Sequence, residues 1–361
     1  MKITFPLLSL GPSGGSRVIA ELANGLTKKG HDVVFVVPKG ANKGLYPLNV
    51  KLIETRSSLE KKGLYFFRAF KVFFEIVFAT PESDIICATA GPTSLMVIVS
   101  AKLLRMGTPV YFIQNLDHLF FEGRMAFPIR AIIKRSYKWF DYSVLVSEQL
   151  KKAAHLTGKN RVVIHPGINK IFKSKLYKNR AITESPFIIW VGRKYKIKGF
   201  VDMLKTFKIL LNSKKNAKLM IVSPDRLKIG NNKHISVVSL HPLELAKAYA
   251  RADVFVSTSI FEGLGLPPLE AMASGTPVVT TDSVGVMEYA KNRVNALVVP
   301  PSEPQKAAEA ILNILEDDRL ARKIVKGGLK TAKEFNWDIT VDKFDRFFKR
   351  VVIDRRHNAN V

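Results

Sequence analysis

At 361 residues the chain is long enough for two domains with separate cores, and a hydrophobic fraction of 47% excludes a disordered protein. A single cysteine, Cys87 in an apolar run, excludes an intramolecular disulfide, and no uncharged apolar stretch reaches the ~20 residues that cross a bilayer. The formal charge of +27 calls for an anionic partner, and it is uneven: residues 1–180 hold 28 Lys and Arg against 11 Asp and Glu.

From the N-terminus, Met1 to Pro6 reads as a short strand, without the long apolar region or cleavage site of a signal peptide. Further β-branched runs predict strands over 32–37, 50–53, 84–87, 109–113, 142–146 and 162–164. Amphipathic stretches between them predict helices over 15–29, 59–80, 92–105, 126–139 and 147–157. A polar, aperiodic segment follows at 166–185, carrying Lys170, Lys173, Lys175, Lys178 and Arg180, and reads as a break between domains. Alternation then resumes, with strands expected over 187–191, 219–222, 235–238, 254–256, 277–280 and 296–299, and helix from 304 to 352. The pattern implies two Rossmann-like, doubly wound parallel sheets with a cleft between them. The expected boundaries are an N-terminal domain over 1–168, a linker over 169–185, a second domain over 186–336, and a helix over 337–361 crossing back to the first.

The richest chemistry lies in 261–275, between a strand and a helix expected to open near Leu266. Gly263 and Gly265 leave backbone unshielded, so that N–H groups and the helix N-terminus can face an anion or a ring of hydroxyls. Pro267 suits a first helical turn. Glu262 and Glu270 stand eight positions apart, where two carboxylates can accept hydrogen bonds from one elongated polar ligand. A second segment, 190–199, follows the first strand of the second domain. There Arg193 offers a planar fork and Lys198 a point charge, suited to a diphosphate that gains charge as a leaving group. A third loop, Gly14-Gly15-Ser16-Arg17, joins the first strand to the first helix. It departs from a Gly-x-Gly-x-x-Gly fingerprint, and no acid ends the second strand, so NAD is disfavoured.

These segments resemble those of glycosyltransferase family 4, whose members are retaining enzymes of the GT-B fold. The match to a Glu-x7-Glu signature at Glu262 and Glu270 is joined by a Gly-Arg-x4-Lys-Gly pattern from Gly192 to Gly199. The resemblance implies a nucleotide diphosphate-sugar donor and a glycan or lipid-linked acceptor. It assigns Glu262 to the donor sugar and Glu270 to the ribose diol. The amides of Gly263, Leu264, Gly265 and Leu266 go to the sugar and distal phosphate, and Arg193 and Lys198 to the diphosphate. Gly14, Gly15 and Arg17 would close over donor phosphates or acceptor from the first domain. Where relatives carry a histidine after the fifth strand, this chain has Gln114 and Asn115, with Asp117 and His118 slightly later. Gln114 cannot be a general base, and the family's front-face attack, in which donor phosphate takes the acceptor's proton, needs none. No Asp-x-Asp pair or Cys/His cluster is present, so no metal or other cofactor is expected.

Residues 59–80 are unusual. Lys61, Arg68 and Glu75 fall seven apart with Lys71 nearby, one narrow charged stripe on an otherwise apolar, aromatic helix. A helix covering one sheet face needs only a ~100° apolar stripe, so a second buried face is implied, against a membrane, a partner or another element. Residues 120–139 repeat the basic and aromatic mixture, consistent with an anionic membrane surface and a location in the cytoplasm, peripheral at the inner face of the cell membrane. A sugar-nucleotide epimerase would show paired acid and base residues, and a phosphorylase a pyridoxal lysine site; neither is evident. A basic nucleic-acid binder would need a recognisable module or an aromatic platform, and none is found.

Overall fold

The structure, a computed structural model, describes residues 1–59, 65–121, 123, 126–158, 160–172, 184–227, 229–230 and 232–359. The chain forms two compact units, Met1–Gly167 with Trp337–Val361, and Ile168–Asn336. The first contains β1 (Lys2–Pro6), α1 (Gly14–Lys28), β2 (Asp32–Val37), β3 (Lys51–Glu54), α2 (Tyr65–Ala79) and β4 (Ile85–Ala88). It continues with α3 (Gly91–Ile98), β5 (Thr108–Ile113), α4 (Phe127–Ser136), β6 (Tyr142–Leu145), α5 (Glu148–Ala153) and β7 (Arg161–Val163). The second contains β8 (Phe187–Val191), α6 (Phe200–Ser213), β9 (Lys218–Val222), β10 (Ile235–Val238), α7 (Pro242–Arg251) and β11 (Val254–Val256). After these come α8 (Leu266–Ala273), β12 (Val278–Thr281), β13 (Leu297–Val299), α9 (Pro304–Glu316) and α10 (Asp318–Glu334), before α11 (Trp337–Ala359) rejoins the first unit.

Both sheets are parallel, in the orders β3-β2-β1-β4-β5-β6-β7 and β10-β9-β8-β11-β12-β13. Each order reverses direction once, at β1/β4 and at β8/β11, and those switch points open crevices at the strands' carboxyl ends. The glycine loop after β1 therefore sits at the first switch point, and segments 190–199 and 261–275 flank the second. The strands are apolar on both faces because helices cover both; β4, for example, is buried at all four positions. Cys87 lies there, fully buried, and burial pushes its thiol pKa far above the usual value.

Three expectations need adjustment. The helix expected over 92–105 stops at Ile98 and widens into a π turn over Val99–Leu103, where β-branched Ile98 and Val99 crowd the preceding turn. The helix expected from 59 begins at Tyr65; residues 60–64, with Lys61 of the charged stripe, lie outside the described residues. Of the linker expected over 169–185, residues 173–183 lie outside them too, while Lys170–Phe172 form a 3-10 turn whose Phe172 is buried against Tyr249. Among the described residues no helix is long and apolar enough to cross a membrane.

Helix α2 packs Val72, Ile76 and Val77 against Val34 and Val36 of the sheet and Met96 of α3. Its opposite side is open. Phe67 is 70% exposed, Phe70 61%, Phe74 38% and Phe78 70%. The second apolar face expected from the sequence is thus left facing outward, not covered by a described element of its own unit.

Candidate active site

The second unit brings Glu262, Lys198 and the head of α8 together at the β8/β11 switch point. Glu262 is 8% exposed, and its Oε1 accepts from Lys198 Nζ at 2.7 Å and from Ser259 Oγ at 2.7 Å. Its backbone is fastened as well, its N–H donating to Ser283 O at 3.1 Å while its carbonyl accepts from Gly285 N at 3.0 Å. A Cβ on Gly285 would meet the Gly263 carbonyl at 2.0 Å, so the loop after β12 can lie against the glutamate segment only with glycine there. Gly265 is left-handed at φ +83°, and its carbonyl accepts from the buried Tyr289 hydroxyl at 2.6 Å. The α8 N-terminus that follows carries Pro267 and Pro268, which have no N–H. Its amide donors in that turn are Leu266 and Leu269. Glu270 is 3% exposed one turn on, its Oε2 accepting from Tyr249 Oη at 3.3 Å.

Lys198 is delivered by the turn after β8. Gly199 takes φ +65°, and a Cβ there would lie 1.8 Å from the Thr258 carbonyl. Thr258 Oγ1 donates to Gly199 O at 2.8 Å and accepts from Trp190 Nε1 at 3.1 Å, and Ile260 N donates to Ile197 O at 2.8 Å. The basic turn and the glutamate loop are therefore bolted together at backbone level. Arg193 points elsewhere, toward Asp225. Its Nη2 and Nε reach Asp225 Oδ1 at 2.7 and 3.1 Å, and Lys194 N reaches Oδ2 at 2.9 Å. Burial works to raise the Asp225 pKa, but the Arg193 and Lys194 bonds outweigh it and hold it below the usual value. Sequence reading missed Asp225, Ser259, Tyr249 and Tyr289.

In the first unit Gly14 and Gly15 form the first turn of α1, capped by Ser13 Oγ accepting from Ser16 N at 3.0 Å, with Arg17 half-buried one turn on. Gln114, at the end of β5, meets this turn: a Cβ on Gly15 would lie 3.4 Å from its Oε1. Asp117 does not join them, instead accepting from Gly91 N at 2.5 Å at the head of α3. Burial lifts its carboxyl to about 6, opposed by the Gly91 bond. His118 Nδ1 lies 3.3 Å from Tyr137 Oη, and burial, then Lys134 and Arg130, push its pKa below the ordinary imidazole value. The neutral ring is favoured. Among the described residues no group of three His, Cys, Asp or Glu is placed to hold a metal ion.

The pattern of the Glycosyltransferase Family 4 matches residues 12–170, and that of the Glycosyl transferases group 1 matches residues 172–331. An N,N'-diacetylbacillosaminyl-diphospho-undecaprenol alpha-1,3-N-acetylgalactosaminyltransferase of Campylobacter jejuni is 23% identical over 347 residues, 89% of this chain and 92% of its own. The chain spans about half the length of several other curated relatives it matches. Among solved structures, a sucrose-phosphate synthase from Thermosynechococcus elongatus superposes with a TM-score of 0.80 at 18% identity, covering 98% of this chain and 99% of its own. HepE of Anabaena in complex with UDP-glucose does so with a TM-score of 0.75 at 18% identity, covering 97% and 100%. With two parallel sheets of the GT-B arrangement and family patterns running from residue 12 to 331, the chain belongs to glycosyltransferase family 4.

Proposed function

We propose that the protein moves a sugar from a nucleotide diphosphate-sugar donor to a glycan or lipid-linked acceptor, with retention at the anomeric carbon, at the inner face of the cytoplasmic membrane. The observation that carries this reading is the Lys198–Glu262 pair, 2.7 Å apart beside the head of α8. In transfer, the bond from C1 of the sugar to the distal phosphate breaks, an acceptor oxygen bonds to C1 on the same face, and a phosphate oxygen takes the acceptor's proton. Lys198 and Arg193 offset the charge that the diphosphate gains, which they do best in a water-poor site. Glu262 accepts from sugar hydroxyls, Glu270 from the ribose diol, and the amides from Gly263 to Leu266 face the sugar and distal phosphate. Gln114 and the Gly14–Gly15 turn, with Arg17, serve the acceptor side or the donor phosphates. His118, neutral and on Tyr137, and Asp117, at the head of α3, shape the same region without acting as a base.

The relatives' names support both halves. The HepE structure holds UDP-glucose, and the Campylobacter transferase is named for a diphospho-undecaprenol acceptor. The test is release of nucleoside diphosphate from a panel of nucleotide sugars, UDP-glucose among them, by the parent, Lys198→Ala and Glu262→Gln. We expect turnover of at least one donor by the parent and a loss of about a hundredfold or more in each variant. Because the pair is nearly buried, breaking it also costs about 3–5 kcal/mol of stability in the alanine variant. The glutamine variant, which keeps a hydrogen-bond acceptor for Ser259 and Lys198, separates folding from chemistry. Unchanged turnover in a folded Glu262→Gln protein would sink the assignment.

A further inference from the structure

The first sheet's connections place its helices on two faces. Moves from β1 to β2 and β3 run one way along the sheet, whereas β3 to β4, β4 to β5 and β5 to β6 run the other. With right-handed crossovers, α2, α3 and α4 therefore share one face, opposite α1. They are neighbours in that layer: Met96 of α3 packs in the α2 cluster, and a Cβ on Gly91 of α3 would meet Ile133 of α4 at 2.6 Å.

The outward side of this layer is apolar to an unusual degree. Phe67, Phe70, Phe74 and Phe78 of α2 recur at helical spacing, Leu95 of α3 is 39% exposed, and Phe127, Ile129 and Ile132 of α4 are 66%, 47% and 49% exposed. Beyond them the π turn exposes Leu103 at 75%. The exposed charges on these elements have one sign. Lys71, Lys102, Arg105, Lys134, Arg135 and Lys138 are exposed, and α3, the π turn and α4 contain no acid. Glu75, the acid of α2, is turned to Ser57, whose N and Oγ donate to it at 2.8 and 2.7 Å.

We infer that the α2–α3–α4 layer is the surface by which this protein lies on an anionic lipid bilayer, its phenylalanines entering the interface and its lysines and arginines meeting the headgroups. The inference deepens the membrane location proposed above and rests on that reading. An apolar patch rimmed by one sign of charge fits a surface of the opposite sign. A second copy of the same face would set basic rim against basic rim, which like-charge repulsion opposes. No helix among the described residues can span the bilayer, so the contact is interfacial. Geometry gives it a use. The turn Asp117–Phe120, between β5 and α4, exposes Leu119 at 37% and packs against α4, its His118 meeting Tyr137 just past that helix. A lipid-linked acceptor held in the leaflet would then approach Gln114 and His118 from the docked edge.

The experiment is co-sedimentation of the purified chain with phosphatidylcholine vesicles, with and without phosphatidylglycerol. It compares the parent, the triple variant Phe67→Ser, Phe70→Ser, Phe78→Ser, and the charge variant Lys134→Glu, Arg135→Glu. The parent should prefer vesicles containing phosphatidylglycerol, the triple variant should bind them about tenfold or more weakly, and the charge variant should lose the preference. All three should release nucleoside diphosphate from the donor at the parent's rate in solution, since none of these residues touches the donor-side groups. Equal binding by parent and triple variant overturns the inference, as does failure of the parent to bind at low salt. A dimer in analytical ultracentrifugation that the triple substitution abolishes overturns it in favour of self-association. Vesicle binding that depends on the phenylalanines in a protein that turns over no nucleotide sugar would leave the surface standing and remove the transferase reading.

Discussion

At the scale of single residues, carboxylates engage the two cations of the site. Lys198 neutralises Glu262, and one oxygen of Asp225 accepts from both Nε and Nη2 of the Arg193 fork. The second arrangement is partly open to water, the Arg193 side chain being 37% exposed, so its contribution to stability is small. Its role is to orient. Asp225→Ala should raise the donor KM about tenfold while shifting unfolding by less than about 1 kcal/mol. Steady-state kinetics beside urea denaturation checks this, and an unchanged KM rules it out. Asp117 gives a pH signature. Its carboxyl ionises near 3.8 when unfolded but only at about 6 when folded, because burial disfavours the charge. Between those values the folded chain keeps a proton that the unfolded chain has released, so this group's contribution to stability falls as pH rises. Asp117→Asn retains an acceptor for Gly91 N–H and cannot titrate. Its melting point should match the parent's near pH 4 and exceed it by about a few degrees at pH 7. A difference that does not vary with pH would refute this.

At the scale of elements, the turn after β8 shows what sequence can and cannot reveal. Gly199 holds a left-handed φ and touches the Thr258 carbonyl, so Gly199→Ala must push the β8 and β11 loops apart. We expect at least about 2 kcal/mol lost and donor turnover abolished, read by denaturation and by nucleoside diphosphate release. Retained activity would mean that the two loops can separate freely. The strands were legible because β-branched runs bounded by polar turns carry their own signal, and β2, β8, β10 and β11 begin and end where the pattern says. The two glutamates and the two cations were legible because they are local in sequence. Asp225 was not. It stands 32 residues beyond Arg193 and meets it because β8 and β9 are parallel neighbours whose carboxyl ends lie side by side. Ser259 escaped for a different reason: a serine before Glu262 carries no mark of donating to it until the loop folds back. The open phenylalanine face of α2 was half legible. Composition showed an excess of apolar surface, and only the packing showed which residues face outward.

At the scale of the molecule, the chain leaves its first unit at Gly167 and returns to it at Trp337, so that unit depends on its last helix. Helix α11 buries Phe344, Phe348 and Val351; Phe344 meets the Phe112 ring edge-on at 5.0 Å. Each such aromatic side chain contributes about 1.5–3 kcal/mol. Close approach to α1 needs Gly25, where a Cβ would lie 2.3 Å from Val341. The polar fastening is Asp345, 8% exposed, whose Oδ1 meets His31 Nε2 and whose Oδ2 accepts from Lys349, each at 2.9 Å. Burial works to raise the Asp345 pKa, but the bonds to Lys349 and His31 outweigh it, and the folded value lies below 3.8. Its stabilisation is therefore complete above that pH and is lost as pH falls through the lower folded value. Asp345→Ala should cost about 2–4 kcal/mol at pH 7, because it leaves the His31 ring buried without its partner. The cost should shrink below pH 4, where the parent's carboxylate is itself being protonated. Thermal denaturation of parent and variant across that range is the measurement. Equal melting points at pH 7 would show that the aromatic packing holds the returning helix without the Asp345–His31 contact.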